Sequence, residues 1–250
     1  VLCLHGFTGT PFEVRPLAEL LAERDFTVKA PVLAGHARDA AALDATTWQD
    51  WYASARAALD ELRADVEGRP VGVLGFSMGG LLALRLAHEH PDAVAAVAVL
   101  CAPLRLRLRQ ARAIRVLSHV PQLVRPRPLD RLPKVSGPDT SDPEMKAKNP
   151  GLPVMPLDAL ASLLDLGDVV RPILPEVRQP ALVVAARQDH VVPFEDSLEI
   201  AGTLGSGVVE RLWLERSYHL VGIDVERREL GLKAARFFAE HVPAPSPART

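Results

Sequence analysis

Val71-Gly72-Val73-Leu74-Gly75-Phe76-Ser77-Met78-Gly79-Gly80 is a short apolar run, a Gly-x-Ser-x-Gly turn, and the start of a run of helix formers from Leu81 to Ala87. A serine in this setting sits on a sharp turn between a buried strand and a helix. Glycine two places before and two after it leaves room for a turn too tight for side chains. The serine oxygen then projects from the carboxyl end of a sheet. The following amide, that of Met78, lies at a helix N-terminus, where positive partial charge collects. Ser77 is therefore a candidate nucleophile and the Met78 N–H a candidate oxyanion donor. The five-residue pattern also arises by chance as a small-residue loop. The rest of the chain has to supply a histidine, an acid and a second donor in matching contexts.

The bulk properties allow this. A chain of 250 residues with 48% hydrophobic and 24% charged content fits one large α/β domain or two small ones with a substantial core. A net charge of −2 gives no global electrostatic case for binding nucleic acid or an anionic membrane. No apolar run approaches the roughly 20 residues needed to span a bilayer. Cys3 and Cys101 lie in apolar runs and read as buried reduced thiols rather than a disulfide framework, and with no signal peptide in the sequence a cytoplasmic location is expected. The chain starts at Val1, already inside an apolar run, which leaves room for a preceding signal segment. No C-x-x-C or H-E-x-x-H spacing points to a metal, and no cofactor motif stands out.

Val1 to Leu4 reads as a buried strand, with the glycine-rich loop His5-Gly6-Phe7-Thr8-Gly9 at its carboxyl end. Thr10, Pro11 and Glu13 then read as N-cap, first helical residue and capping-box partner. Phe26 to Val32 reads as a second strand, followed by the loop Leu33-Ala34-Gly35-His36-Ala37. Thr46 to Val66 is an amphipathic helix whose aromatics Trp48, Trp51 and Tyr52 suit a core face. Further strands are expected at 71–76, 94–100, 181–186 and 208–214, with helices after Phe194 and over 224–241. Continuous apolar strands alternating with helices indicate a mostly parallel sheet of six or seven strands, covered on both faces.

Between Ala102 and Pro180 this alternation stops, and 13 of the chain's 22 prolines fall there. An insertion this long between core strands reads as a cap over the site, because core connections are short. The core is then residues 1–101 and 181–242, and 243–250 is a proline-rich tail expected to be flexible. The stretch 105–127 carries seven arginines and no acid. It reads as a solvated surface or, alternatively, as an attractor of anionic substrates or a lipid surface. Leu104, Leu106, Leu108, Ile114 and Leu117 among the arginines are candidates to line an acyl pocket.

Ligands of open α/β sheets bind at the carboxyl ends of the strands. Ser77, Asp189 and His219 each follow a strand, in the order Ser…Asp…His. His219 is the histidine between the final strand and the final helix. His5 reads as a support for the glycine-rich loop, and His190 follows the acid and should point elsewhere. Asp165 and Asp168 compete with Asp189 but have no strand before them, and Glu215 lies too close to His219 along the same loop to be its partner.

Four segments together, His5-Gly6-Phe7-Thr8-Gly9-Thr10-Pro11, Gly75-Phe76-Ser77-Met78-Gly79-Gly80, Asp189-x-x-Val192-Pro193 and Ser217-x-His219, resemble the small bacterial carboxylesterases related to monoacylglycerol lipases, within the α/β-hydrolase superfamily. Thr46-Thr47-Trp48-Gln49-Asp50-Trp51 is similar to another stretch of that family. The likeness covers about residues 1–101 and 181–241. Gly35-His36-Ala37 departs from it, since relatives often carry Gly-His-Gly. The resemblance implies an α/β-hydrolase fold, catalytic Ser77, Asp189 and His219, and an oxyanion hole formed by the N–H groups of Phe7 and Met78. It implies acyl-enzyme hydrolysis of short- to medium-chain acyl esters with no metal or organic cofactor. A small-molecule ester would be the partner, with no nucleic acid and no integral membrane association. Other expectations on this fold are a monoacylglycerol or lysophospholipid lipase and a thioesterase. A non-catalytic binding protein would instead show a damaged triad or oxyanion loop, and neither is damaged in this sequence.

Overall fold

The computed structural model describes residues 1–105, 111–120 and 130–243. The expected tail beyond Pro243, four of the seven arginines, and Leu106 and Leu108 lie outside them. The chain runs β1 (Leu2–Leu4), α1 (Arg15–Ala22), α2 (Ala40–Asp44), α3 (Trp48–Asp65), β2 (Val71–Phe76), α4 (Met78–Glu89) and β3 (Val94–Leu100). The insertion follows, with α5 (Ala111–Ser118), β4 (Arg131–Pro133), α6 (Pro143–Lys148), β5 (Val154–Pro156) and α7 (Leu157–Val170). The chain ends with β6 (Ala181–Ala186), α8 (Phe194–Thr203), β7 (Val209–Leu214) and α9 (Arg227–His241).

The main sheet is parallel, in the order β1-β2-β3-β6-β7. It has five strands rather than the expected six or seven. The segment 26–32 contributes only a single bridge, in which the Cys3 N–H donates to the Lys29 carbonyl at 2.8 Å and the Lys29 N–H to the Val1 carbonyl at 3.0 Å. Pro31 removes a donor from that edge, and Val32 is turned to solvent, so the pairing does not propagate. A small antiparallel pair, β4 and β5, lies within the insertion.

Alternate residues of the buried strands feed two cores. Val71 and Val73 of β2 face one core, with Leu59 and Leu62 of α3, Leu82 and Leu86 of α4, and Leu160 and Leu163 of α7. Leu74 and Phe76 face the other, with Leu17 and Leu21 of α1 and Phe237 and Phe238 of α9. Burial on both faces explains why these strands read as continuous apolar runs. Helix α3 starts with a capping box, in which the Thr47 N–H donates to Asp50 Oδ2 at 2.8 Å.

The arginine-rich stretch meets the core through its described members. Arg105 donates from its backbone and guanidinium to the fully buried Asp196, and it also pairs with Glu199. Arg115 pairs with Asp165 and Asp168, two of the acids that competed with Asp189. Leu104 and Ile114, expected over an acyl pocket, are packed into the α3/α4/α7 core instead. No helix among the described residues is long and apolar enough to cross a membrane.

Candidate active site

β2 pairs with the inner side of β1 while Lys29 bridges to that same strand, so the loops leaving β1 and β2 diverge above the sheet. A crevice opens at such a switch point. The elbow that closes β2 is tight. Ser77 has φ +53 and ψ −118, a strained conformation for a non-glycine residue. A Cβ on Gly75 would lie 2.1 Å from the Gly79 carbonyl oxygen, and one on Gly79 would lie 2.3 Å from that of Leu4. Both clashes are with backbone, so the two glycines of the motif are fixed by space. Met78 opens α4, so its N–H has no intrahelical acceptor.

The structure brings Ser77, His219 and Asp189 together from the ends of β2, β7 and β6. His219 Nε2 lies 3.1 Å from Ser77 Oγ and His219 Nδ1 lies 2.7 Å from Asp189 Oδ2. The carboxylate can only accept, so it fixes the tautomer with the proton on Nδ1 and leaves Nε2 to accept from the serine hydroxyl. The other oxygen of Asp189 accepts the N–H groups of Val191 and Val192, both at 2.8 Å. Burial works against the Asp189 carboxylate, but the charge and hydrogen bond of His219 and these two amides outweigh it and hold its pKa below the usual range. Burial alone would lower His219, yet the charge and hydrogen bond of Asp189, with smaller contributions from Asp139 and Glu13, raise it above its ordinary 6.5. Glu215, the remaining competitor for the acid, is exposed beside Arg187.

The loop after β7 is tied down by two acids of its own. Glu226 accepts the N–H groups of Arg216 and Ser217 and the Ser217 hydroxyl. Asp224 accepts the Tyr218 N–H at 2.8 Å, together with the N–H and hydroxyl of Ser141 from the insertion. A second insertion residue, Asp139, accepts the His219 N–H at 3.1 Å and pairs with the His190 ring at 2.8 Å. His190 thus points away from the Asp189 carboxylate and toward the insertion.

The glycine-rich loop after β1 is held from below by His5. The Leu33 N–H donates to His5 Nε2 at 3.2 Å, so Nδ1 carries the proton and donates to the Gly6 carbonyl at 2.9 Å. Burial, with the nearby His36, pushes His5 down to about 3, so the ring stays neutral. The Phe7 N–H has no hydrogen-bond partner among the described residues. His36 is buried edge-on to His5, Phe7 and Trp51. Ala37 takes φ +55, so this chain keeps a glycine-like turn without the glycine.

Ser77 and His219 open into a cavity of about 480 Å³. Its apolar lining includes Phe7, Leu152, Met155, Leu160 and Leu163, and its polar lining includes Lys134, Ser136, Lys146 and Asn149. The insertion residues that line it come from 134–163, not from the 104–117 stretch expected. Glu13, Lys134 and Asp139 were not picked out from the sequence as site residues. Glu13 had only a capping signal, and the other two lie where the strand–helix pattern is lost.

Cys101, Asp189 and His219 bring one metal-ligating atom each within 4.8 Å of one another. However, Asp189 and His219 already bond each other, and burial followed by the Asp189 charge pushes the Cys101 thiol well up, away from a thiolate ligand. Glu210, Glu240 and His241 form a surface group in which Glu210 is paired with Lys233.

Residues 1–226 match the Hydrolase_4 family model, described as serine aminopeptidase, S33. The chain belongs to this family. It is 32% identical over 241 residues to the thermostable monoacylglycerol lipase of Bacillus sp. (strain H-257), covering 96% of this chain and 90% of that one. It is 30% identical to the carboxylesterase of Bacillus subtilis (strain 168), covering 91% of this chain and 87% of that one. A solved structure from LipS and LipT, two metagenome-derived lipolytic enzymes, superposes with a TM-score of 0.86 at 33% identity, covering 96% and 93% of the two chains. The monoacylglycerol lipase of Paleococcus ferrophilus shares the fold, with a TM-score of 0.79 at 18% identity and coverage of 96% and 93%. The chain is a hydrolase with the α/β-hydrolase fold.

Proposed function

We propose that this protein is a serine carboxylic-ester hydrolase acting through an acyl-enzyme on short- to medium-chain acyl esters. The observation that carries the reading is the continuous relay Asp189–His219–Ser77 at 2.7 and 3.1 Å, at the mouth of a largely apolar cavity. Neutral His219 takes the Ser77 proton as the oxygen attacks the ester carbonyl. The Phe7 and Met78 N–H groups receive the oxyanion, each contributing about 3 kcal/mol to the transition state. Asp189 orients the imidazole and stabilises the imidazolium. His219 then protonates the departing alcohol, and water deprotonated by the same ring releases the acid. No step draws on a metal or an organic cofactor.

In this reading residues 102–180 are the cap. Leu152, Met155, Leu160 and Leu163 take the acyl chain, and Ser136, Lys146 and Asn149 face polar parts of the substrate. The family description would suit an aminopeptidase, which has to hold a substrate ammonium. The acids lining the cavity, Glu13 and Asp139, are instead engaged by backbone N–H groups. The buried, unpaired Cys3 and Cys101 support a reducing, cytoplasmic setting.

A fluorophosphonate probe should label the wild-type protein and leave Ser77→Ala unlabelled. Labelling that survives the substitution sinks the reading. p-Nitrophenyl esters of rising chain length, compared with monoacylglycerols, acyl-CoA and aminoacyl p-nitroanilides, then separate esterase, lipase, thioesterase and peptidase.

A further inference from the structure

Glu13 does not complete the capping box that its spacing from Thr10 suggests. Its carboxylate turns back and accepts the Gly6 N–H at 3.0 Å. The side chain is buried between two loops of the site. A Cβ on Gly9 would lie 2.1 Å from Glu13 Oε2, and one on Gly222, beyond His219, would lie 2.2 Å from the Glu13 carbonyl oxygen.

The peptide that presents the Phe7 N–H is consequently fixed from several sides. The Gly6 carbonyl accepts from His5 Nδ1 at 2.9 Å and from the Gly9 N–H at 3.2 Å. Thr8 stands at φ +62, a conformation a β-branched residue keeps only when its surroundings hold it. Those surroundings are the insertion: the Leu152 N–H donates to the Thr8 carbonyl at 2.9 Å, and Lys134 Nζ bonds Thr8 Oγ1, which itself donates to the Phe7 carbonyl. The charged and titratable groups facing Glu13 are Lys134 from the insertion and His219 from the loop after β7. Burial pushes Glu13 up to about 7 against the pull of Lys134, the Gly6 N–H and His219, and burial lowers Lys134. An acid kept in such a place at a cost to stability calls for a reason other than packing.

We propose that Glu13 and Lys134 are positioning residues for the oxyanion hole, Glu13 holding Gly6 from the core side and Lys134 holding Thr8 from the insertion, so that the Phe7 N–H is aimed only while the insertion is seated. This rests on the reading of Phe7 as an oxyanion donor. Neither residue touches the reacting atoms. Glu13 acts through the Gly6 N–H and Lys134 through the Thr8 hydroxyl that bonds the Phe7 carbonyl, and they couple the seating of the insertion to the competence of the site.

The test uses the full chain, with active sites counted by fluorophosphonate labelling run to completion. kcat and KM are measured on a soluble p-nitrophenyl ester, and inhibition by a trifluoromethyl ketone, whose hemiketal with the Ser77 oxygen carries the oxyanion, is measured alongside. Glu13→Ala is expected to lower kcat per active site about a hundredfold. KM should change little, and the ketone should weaken in proportion to kcat/KM. Glu13→Gln keeps an acceptor oxygen for the Gly6 N–H and should recover most of both losses. Lys134→Met should give a smaller loss in the same sense, and it carries the test if Glu13→Ala does not fold. Unchanged ketone affinity in Glu13→Ala, or in Lys134→Met where only that variant folds, overturns the proposal while leaving the triad reading intact. Hydrolysis that survives Ser77→Ala overturns the reading underneath it.

Discussion

Asp139, in the insertion between β3 and β6, accepts the backbone N–H of His219 at 3.1 Å. The same carboxylate accepts the His190 N–H at 3.2 Å and bonds the His190 ring at 2.8 Å. One side chain from outside the sheet therefore spans the loop that carries Asp189 and the loop that carries His219. Asp139→Ala should lower kcat by roughly tenfold or more by loosening His219. It should also cost about 1–3 kcal/mol through the amides left without an acceptor. Kinetics per titrated active site and urea unfolding report the two effects separately. Unfolding lost without any change in kcat would make Asp139 a purely structural clamp.

The pH profile follows from the histidine. Asp189 raises His219 above its ordinary 6.5, and in the proposed mechanism His219 works as a base only when neutral. Activity should fall as pH drops through the raised value, so the acidic limb of kcat/KM should lie above 6.5. Asp189→Asn removes the charge that raises it. The limb should move to lower pH while kcat falls about ten-thousandfold. A limb that stays in place in Asp189→Asn would show that another group controls it.

Gly79→Ala tests the elbow. Its new Cβ would stand 2.3 Å from the Leu4 carbonyl oxygen, and neither the strand nor the helix can shift cheaply. A loss of about 3 kcal/mol is expected, seen as a large drop in Tm. Gly202→Ala on α8, where a Cβ meets nothing within 4 Å, is the matched control and should be neutral or slightly stabilising.

Glu13 should make the fold less stable as pH rises. Its folded pKa, about 7, lies above the ordinary 4.5, so the native state holds the proton more tightly than the unfolded chain. The contribution is favourable below 4.5, declines as pH rises from there through 7, and then levels off. The total loss is about 3 kcal/mol. Glu13→Gln stays neutral and should remove that decline, so the variant should unfold at a higher denaturant concentration than wild type at pH 8 and not at pH 4. Parallel unfolding curves at both pH values would contradict this assignment.

Much of this protein was legible from sequence where the deciding forces act over a few residues. The glycines around Ser77 follow from contacts within the elbow and with the adjacent strand. The two-sided burial of 71–76, 94–100 and 181–186 follows from their unbroken apolar character. The order of Ser77, Asp189 and His219 followed because each sits directly after a strand of one parallel sheet. What local rules could not reach was decided by packing between distant segments. Pairing at the β1 edge stopped at Lys29, because a strand with one neighbour and a proline two places on has too few partners to continue. Glu13 gave up its capping-box bond for the Gly6 amide, a choice made by the space beside Gly9. Asp139 met His219 across 80 residues and Lys134 met Thr8 across 126, in a segment with no periodic pattern to reveal its course. The local chain determined which polar groups stand at the ends of the strands, and only the closed tertiary structure decided which groups hold them in place.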